Sequence, residues 1–570
     1  MEKNLLDILR PGRYINNEWN AVHKEWTAGA LKIALSFPDI YEIGMSHLGM
    51  KILYGILNRE ENVICERVFA PWPDMEKRLR DRKENLCSLE SSRPLKEFDI
   101  IGFSLQYEMN YPDILNMLDL GGVPLCSKER RDGDPIIIAG GPAAFNPEPL
   151  ADFIDTFVIG EAEEVILEIV KIVQGAEGIE HRAKSAVLKE LAKIKGVYVP
   201  SLNSSRLPAR RTIGGSLEQY SSSGHESILR KQSREDKGIA LLEQYCVEKR
   251  IIKDLDNSFF PTDIVVPYIQ IVHDRIGIEI MRGCPHKCKF CQACKIFHPL
   301  RIRSVDRIME IAEESVKNTG YEEISLLSLS SGDYPHIEEL AGRLEEKFKP
   351  LGVKISLPSL RVSTFEERSG IDTLRRAGLT FAPEAGSERL RSTLDKKITD
   401  AEIIEKSRGA LNSGWRKVKL YFMIGLPGET FEDLDAIASL TGKIKNVNLS
   451  INPFIPKPHS DFEREGMEDL ETLKGKQRHL RSMLYALCSR AKADFHNPET
   501  SKIEAILARG DRRIGKVILK AWEKGLRLQA WTENFNYNLW DHAFQETGVD
   551  PEIYLKRKEK NEILPWGFIK

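Results

Sequence analysis

Ile276-Gly277-Ile278-Glu279-Ile280-Met281-Arg282-Gly283-Cys284-Pro285-His286-Lys287-Cys288-Lys289-Phe290-Cys291 is an apolar run followed, three residues on, by cysteines at a C-x3-C-x2-C spacing. The run predicts a short buried strand over 276–281, with thiols at its carboxyl end, where parallel α/β folds carry out their chemistry. Nine cysteines scattered at random along 570 residues would give this spacing only about 0.002 times, so the three thiols form a site. Its metal is open from spacing alone. Cys294 and His286 are near enough to complete a tetrahedral zinc site. Three thiolates on a four-iron cluster would instead leave one iron without a protein ligand, open to a substrate.

Working downstream, strand-like runs recur at 324–327, 353–357, 379–381, 418–424 and 447–451. Helical patterns lie between them at 304–318, 337–348, 371–377, 387–394, 400–413 and 431–443. Six strand–helix units predict a partial (β/α)6 TIM-like barrel over residues 266–460. Upstream, apolar runs at 31–36, 100–103, 135–139 and 156–159 alternate with helix-length segments. They predict an α/β, Rossmann-like parallel-sheet domain over 1–175, with ligands beyond the strand ends. Those ends are Gly102-Phe103-Ser104, Gly140-Gly141-Pro142 and Gly160-Glu161-Ala162-Glu163.

Residues 176–265 read as a connector, with a surface helix over 184–195 and a Ser-, Arg- and Gly-rich linker over 201–238. Residues 461–570 read as a mostly helical region with a long helix over 467–494. Trp522, Trp531, Trp540 and Trp566 fall here, either to cover the barrel or to pack the domain.

Composition narrows the class. The chain is 41% hydrophobic and 29% charged with net charge -2, so no global field favours nucleic acid or an anionic membrane. No apolar run reaches the ~18–20 residues of a spanning helix and the start lacks a signal-peptide core, so the expected location is the cytoplasm. An odd number of cysteines, four of them within eleven residues (284–294), argues for metal or redox chemistry over disulfides.

The strand-end segments resemble those of the radical S-adenosylmethionine (SAM) superfamily. Met281-Arg282-Gly283-Cys284 to Cys291-Gln292-Ala293 resembles its cluster loop, with Phe290 in the aromatic position. Ser330-Ser331-Gly332-Asp333 stands where the family binds the methionine amino group, and Pro383-Glu384-Ala385-Gly386-Ser387 where it meets the ribose and carboxylate. Met423-Ile424-Gly425-Leu426-Pro427-Gly428-Glu429 resembles the segment beside the adenine. The whole chain is most similar to an uncharacterised family of such proteins with an N-terminal cobalamin-binding domain. Val272-His273-Asp274-Arg275, Phe454 to Ser460 and Leu564-Pro565-Trp566 share in that likeness.

The resemblance implies a [4Fe-4S] cluster on Cys284, Cys288 and Cys291. It implies SAM held by Phe290, Ser331, Gly332, Asp333, Glu384, Ser387, Gly425 and Leu426, and cobalamin held by His47, Gly49, Ser104, Gly140, Gly141, Gly160 and Glu161. The D-x-H-x-x-G cobalt-ligand signature is absent, because Met45 and Met50 flank His47 where Asp and Gly would stand. Cys294, where the family has glycine, reads as a packing thiol. The implied activity is SAM cleavage to a 5′-deoxyadenosyl radical and cobalamin-dependent C-methylation, driven by an electron donor such as flavodoxin or ferredoxin. The substrate is open, with RNA and protein both in view. Two alternatives stand beside it: a methylthiotransferase with a second cluster on Cys65, Cys87 and Cys126, and a non-catalytic sensor or scaffold.

Overall fold

Five short runs of buried residues make a parallel sheet at the start of the chain: β1 (Leu31–Phe37), β2 (Val63–Phe69), β3 (Ile100–Ser104), β4 (Ile136–Gly140) and β5 (Thr156–Val158). A two-residue β6 (Val197–Tyr198) adds antiparallel to β5, giving the order β2-β1-β3-β4-β5-β6. The order reverses between β1 and β3, which makes the crevice above them a ligand-binding switch point. The computed structural model describes residues 5–177, 183–203, 246–357, 362, 379–488 and 491–570. The helix expected at 371–377 and most of the linker expected at 201–238 lie outside them.

β2 departs from the apolar-run reading because it carries Cys65-Glu66-Arg67 at its centre. All seven of its residues are nevertheless buried. Arg67 is satisfied by Glu90 at 2.6 Å and Glu18 at 2.9 Å, so the sheet takes in the charge without an orphan. Helix Lys184–Leu191 and β6 fall in the segment read as connector and pack onto this first sheet, burying Val187, Leu188, Leu191, Val197 and Tyr198.

The second unit carries β7 (Ile276–Glu279), β8 (Met281–Arg282), β9 (Arg301–Ile302), β10 (Glu323–Leu327), β11 (Lys354–Ser356), β12 (Leu379–Glu384), β13 (Val418–Ile424), β14 (Val447–Pro453) and β15 (Lys492–Phe495). β11-β10-β7 and β12-β13-β14-β15 form two parallel sheets, and β8 with β9 a small antiparallel pair. Helices between the strands start where capping residues stand. Ser304 accepts from Arg307 N ahead of helix Val305–Thr319, and Thr399 with Glu402 makes a capping box on helix Asp400–Asn412. Strict alternation along β13 buries Val418, Leu420, Phe422 and Ile424 in one core with the helix residues Ile403, Ala410, Leu434 and Ile437 and turns Lys419, Tyr421 and Met423 to the other face.

The long helix expected over 467–494 ends earlier, as Leu470–Leu487, and Lys492–Phe495 is a strand pairing parallel with β14. Ala493 and Phe495 pack on the core from an alternating four-residue stretch, a pattern too short to overrule the helical period before it. The tail's tryptophans serve packing. Trp540 and Trp566 are buried, and Trp531 reaches the first domain, donating to Asp39 Oδ1 at 2.9 Å beside Trp72. Among the described residues no helix is long and apolar enough to cross a membrane.

Candidate functional site

The cysteine loop begins at a backbone position that only glycine tolerates. Gly283 sits at φ +92°, and a Cβ there would lie 2.8 Å from the Phe297 carbonyl oxygen and 2.9 Å from that of Pro299. Beyond it Lys289 N donates to Leu394 O at 3.1 Å and Phe462 N to Lys289 O at 3.1 Å, pinning the loop from both sides. Cys288 is buried, Cys284 and Cys291 are half-buried, and none of the nine cysteines is in a disulfide. The Cys294 thiol donates to the Cys291 carbonyl at 3.0 Å and toward its sulfur, which lowers the Cys291 thiol below its ordinary value. Three thiols on one loop, one already biased toward thiolate, are the donor set an iron–sulfur cluster takes. Among the described residues no three His, Cys, Asp or Glu side chains converge on a point that would hold a single metal ion.

Around this loop stand the other strand ends. After β10, the turn Ser331–Asp333 presents Asp333, whose Oδ2 meets His286 Nε2 of the cysteine loop at 2.8 Å and accepts from Ser330 Oγ. Ser331 turns inward, its Oγ donating to Leu326 O, and Gly332 lies in the turn itself. β12 ends at Glu384 with φ +72°, a left-handed backbone on a non-glycine residue, the kind of strain that collects at functional sites. Lys396 holds the Glu384 carboxylate at 2.7 Å and stands 6.0 Å from the Phe290 ring. Ser387 caps helix Glu388–Thr393 and donates to Asp433, and a Cβ on Gly386 would collide with the Asp433 carbonyl. After β13, Gly425 takes φ +79° and its N–H donates to Glu429 at 2.7 Å, with Leu426 buried beside it. Phe290, Leu426, Met423 and Ala385 share one apolar patch. The cysteine loop and the ends of β12 and β13 are thus one site.

In the first domain, Gly140 and Gly141 close β4, and Gly141 at φ +112° lets its backbone approach the Leu105 carbonyl to where a Cβ would be 2.6 Å away. Ser104 Oγ accepts from Gln106 Nε2 at 2.9 Å. His47 caps helix Leu48–Arg59, its Nδ1 accepting from Met50 N at 3.2 Å. Burial holds the imidazole down to about 4, against an opposing pull from the nearby Gln106 side chain. His47 is therefore a neutral ring whose Nδ1 is engaged at the start of its helix. Its edge lies under Gly49, where a Cβ would meet Cε1 at 2.8 Å. Gln106, two residues past the end of β3, is a neighbour of the expected cobalamin residues that motif reading missed.

Gly160 and Glu161 have partners within the chain. Gly160 at φ +103° lies against Arg250, whose carbonyl a Cβ would meet at 2.3 Å. Glu161, 8% exposed, accepts from Arg301 at 2.8 Å, Arg282 at 3.2 Å and Ile252 N at 2.6 Å. Arg282 also meets Glu163 at 2.7 Å and Glu279 at 2.8 Å. These three carboxylates hold the Arg282 guanidinium firmly charged. Arg282 directly precedes Gly283 and Cys284, so the turn after β5 of the first domain is latched to the root of the cysteine loop.

Two further latches cross the same seam. Lys457, past the end of β14, pairs with Glu108 at 2.9 Å and Glu504 at 2.8 Å, and His459 Nε2 meets the Phe145 carbonyl at 2.9 Å. The motif containing Lys457 and His459 is visible in the sequence, but their partners lie 349 and 314 residues away.

Parallel strands whose carboxyl ends gather three thiols and a ring of strained turns define a metallocluster-type α/β enzyme core. Residues 278–441 match the model of the radical SAM superfamily, and residues 49–200 that of radical SAM proteins, N-terminal. An uncharacterised protein of Methanocaldococcus jannaschii is 30% identical over 532 residues, covering 92% of this chain and 98% of that protein. The chain belongs to the radical SAM superfamily. The ribosomal protein uS12 methylthiotransferase RimO of Desulfotalea psychrophila is 24% identical over 38% of this chain and 52% of its own length. Among solved structures, the radical SAM methyltransferase TsrM of Kitasatospora setae, with cobalamin and a [4Fe-4S] cluster bound, matches at TM-score 0.47. It is 14% identical, over 74% of this chain and 72% of that one.

Proposed function

We propose that this radical SAM enzyme binds cobalamin in its first domain and transfers a methyl group to a carbon of its substrate. The observation that supports the reading is the seam. The latches Glu161–Arg282, Glu108–Lys457 and Phe145–His459 each join a strand end of the first sheet to a strand end of the barrel. Two ligand-binding edges therefore face each other, one glycine-lined and one carrying the three thiols.

Cys284, Cys288 and Cys291 would hold a four-iron cluster, which when bound supplies the electron that cleaves SAM. Cobalamin, when bound, supplies the methyl group. The chain's own residues position the partners. Asp333, fixed by His286 and Ser330, offers a carboxylate to an ammonium group. The strained Glu384, steadied by Lys396, and the turn Gly425-Leu426 present polar backbone and an apolar wall to a nucleoside. On the opposite edge Gly140 and Gly141 present side-chain-free backbone, and Ser104 and Gln106 polar groups, to a macrocycle. His47 is committed to its helix, so we assign it a supporting place and no metal bond. Glu161 and Gly160 belong to the latch.

A methylthiotransferase with a second cluster would need Cys65, Cys87 and Cys126 together. Cys65 is buried in β2, its thiol pushed up by burial, while Cys87 donates to the Asn85 carbonyl. The test is anaerobic reconstitution with iron, sulfide and hydroxocobalamin, reduction by flavodoxin or ferredoxin, and transfer of a labelled methyl group to RNA, protein and small-molecule fractions. One cobalt with about four irons per chain is expected. About eight irons without cobalt would overturn the proposal in favour of a second cluster.

A further inference from the structure

Cys294 follows the three proposed cluster ligands by three residues, and its own thiol has no place among them. The residue is buried, 7% exposed, on the short helix Ala293–Ile296. Lys249 of the connector pins the far end of that helix, its ammonium donating to Lys295 O at 2.7 Å and to Ile296 O at 3.2 Å. Lys295 is tied in turn to Asp461 at 2.7 Å. The thiol is therefore held over the loop by contacts on the helix that carries it.

Its sulfur lies 3.0 Å from the Cys291 carbonyl oxygen and 3.8 Å from that of Cys288. The Cys291 sulfur is within hydrogen-bond reach of three donors, the backbone N–H groups of Ala293 and Cys294 and the Cys294 thiol. A thiol is a weak donor toward a neutral carbonyl. Bound to iron, Cys291 would be a thiolate, and a charged acceptor strengthens the bond, the more so where little water competes. The Cys294 proton would then turn from the carbonyl to the sulfur.

We propose that Cys294 is a positioning residue acting through Cys291: its thiol donates a hydrogen bond to that ligand sulfur and raises the reduction potential of the cluster. The inference rests on the reading of Cys284, Cys288 and Cys291 as cluster ligands. Reduction adds one electron, given up by a flavodoxin- or ferredoxin-type donor, and neither forms nor breaks a bond. The added negative charge is shared with the ligand sulfurs, so a donor aimed at one of them stabilises the reduced state more than the oxidised. The backbone N–H groups of Ala293 and Cys294 act in the same sense. Only the thiol can be removed by changing a side chain.

The test is a redox titration of the anaerobically reconstituted full chain without SAM, followed by the paramagnetic resonance of the reduced cluster. Wild type is compared with Cys294→Ala, Cys294→Val and Cys294→Ser. The alanine and valine variants should be harder to reduce. At the wild-type midpoint their ratio of reduced to oxidised cluster should fall at least about threefold, which is about 28 mV at ~59 mV per tenfold. Cys294→Ser keeps a donor and should stay within about twofold of wild type. Valine fills the volume of the lost thiol, so it reports the hydrogen bond where alanine sheds the cluster. Unmoved midpoints in the donor-free variants, or a serine midpoint displaced as far as theirs, overturn the proposal. A wild-type chain that takes up no four-iron cluster gives no signal to titrate and overturns the cluster reading, and the proposal with it. That result is distinct from a cluster present at an unmoved potential.

Discussion

Replacing Glu161 by Gln should loosen the root of the cysteine loop while leaving every cysteine in place. The Glu161 carboxylate receives two guanidinium groups and one backbone N–H at 2.6–3.2 Å in a nearly water-free seam. Without its charge, Arg301 keeps only the carbonyls of Ile252, Pro299 and Phe297, while Arg282 keeps Glu163 and Glu279. Breaking a buried pair costs about 3–5 kcal/mol, and since Gln retains one acceptor the lower end, about 3 kcal/mol, applies. That raises local opening of the seam about a hundredfold. Cys288, 7% exposed, reports the opening: its labelling by a thiol reagent in the cluster-free protein, read by peptide mass, should quicken by a similar factor. Glu163→Gln, which leaves Arg282 two carboxylates, should quicken it less than about tenfold. A Glu161→Gln rate within about threefold of wild type would refute the latch as the element that holds the loop.

Other consequences are as concrete. Gly283→Ala should cost at least about 2 kcal/mol from its left-handed φ alone, with two carbonyls in the way besides, and should lower the iron retained after reconstitution. Lys457→Met strands the Glu108 and Glu504 carboxylates and should lower the denaturant midpoint by the equivalent of about 3 kcal/mol, with Lys457→Arg largely restoring it. The His47 ring, held neutral down to about 4, refuses a proton that the unfolded chain accepts below 6.5. Its stability contribution is full above 6.5 and is lost as pH falls toward 4, by about 2–3 kcal/mol, and His47→Gln should flatten that part of the unfolding profile.

The barrel was legible because apolar runs such as 418–424 recur with helix-length segments between them, and the caps at Ser304 and Thr399 stand where those helices begin. The three cysteines were legible because their spacing is local. What escaped was decided by partners far away in the chain. β2 hid behind Glu66 and Arg67, whose burial makes sense only once Trp26 and Ser91 donate to the one and Glu18 and Glu90 pair with the other. β15 hid behind the helix before it, and only the open edge of β14 explains it. Glu161 follows a glycine at a strand end, which locally signals a ligand. Its actual partner Arg301 lies 140 residues on, beyond any motif.

The central claim is that Cys284, Cys288 and Cys291 hold a cluster that cleaves SAM. It is tested most directly by reducing the reconstituted protein with SAM present and quantifying 5′-deoxyadenosine. Wild type should form it and Cys288→Ala should not. Formation by Cys288→Ala, or none by a wild-type protein carrying its full iron, would contradict the claim.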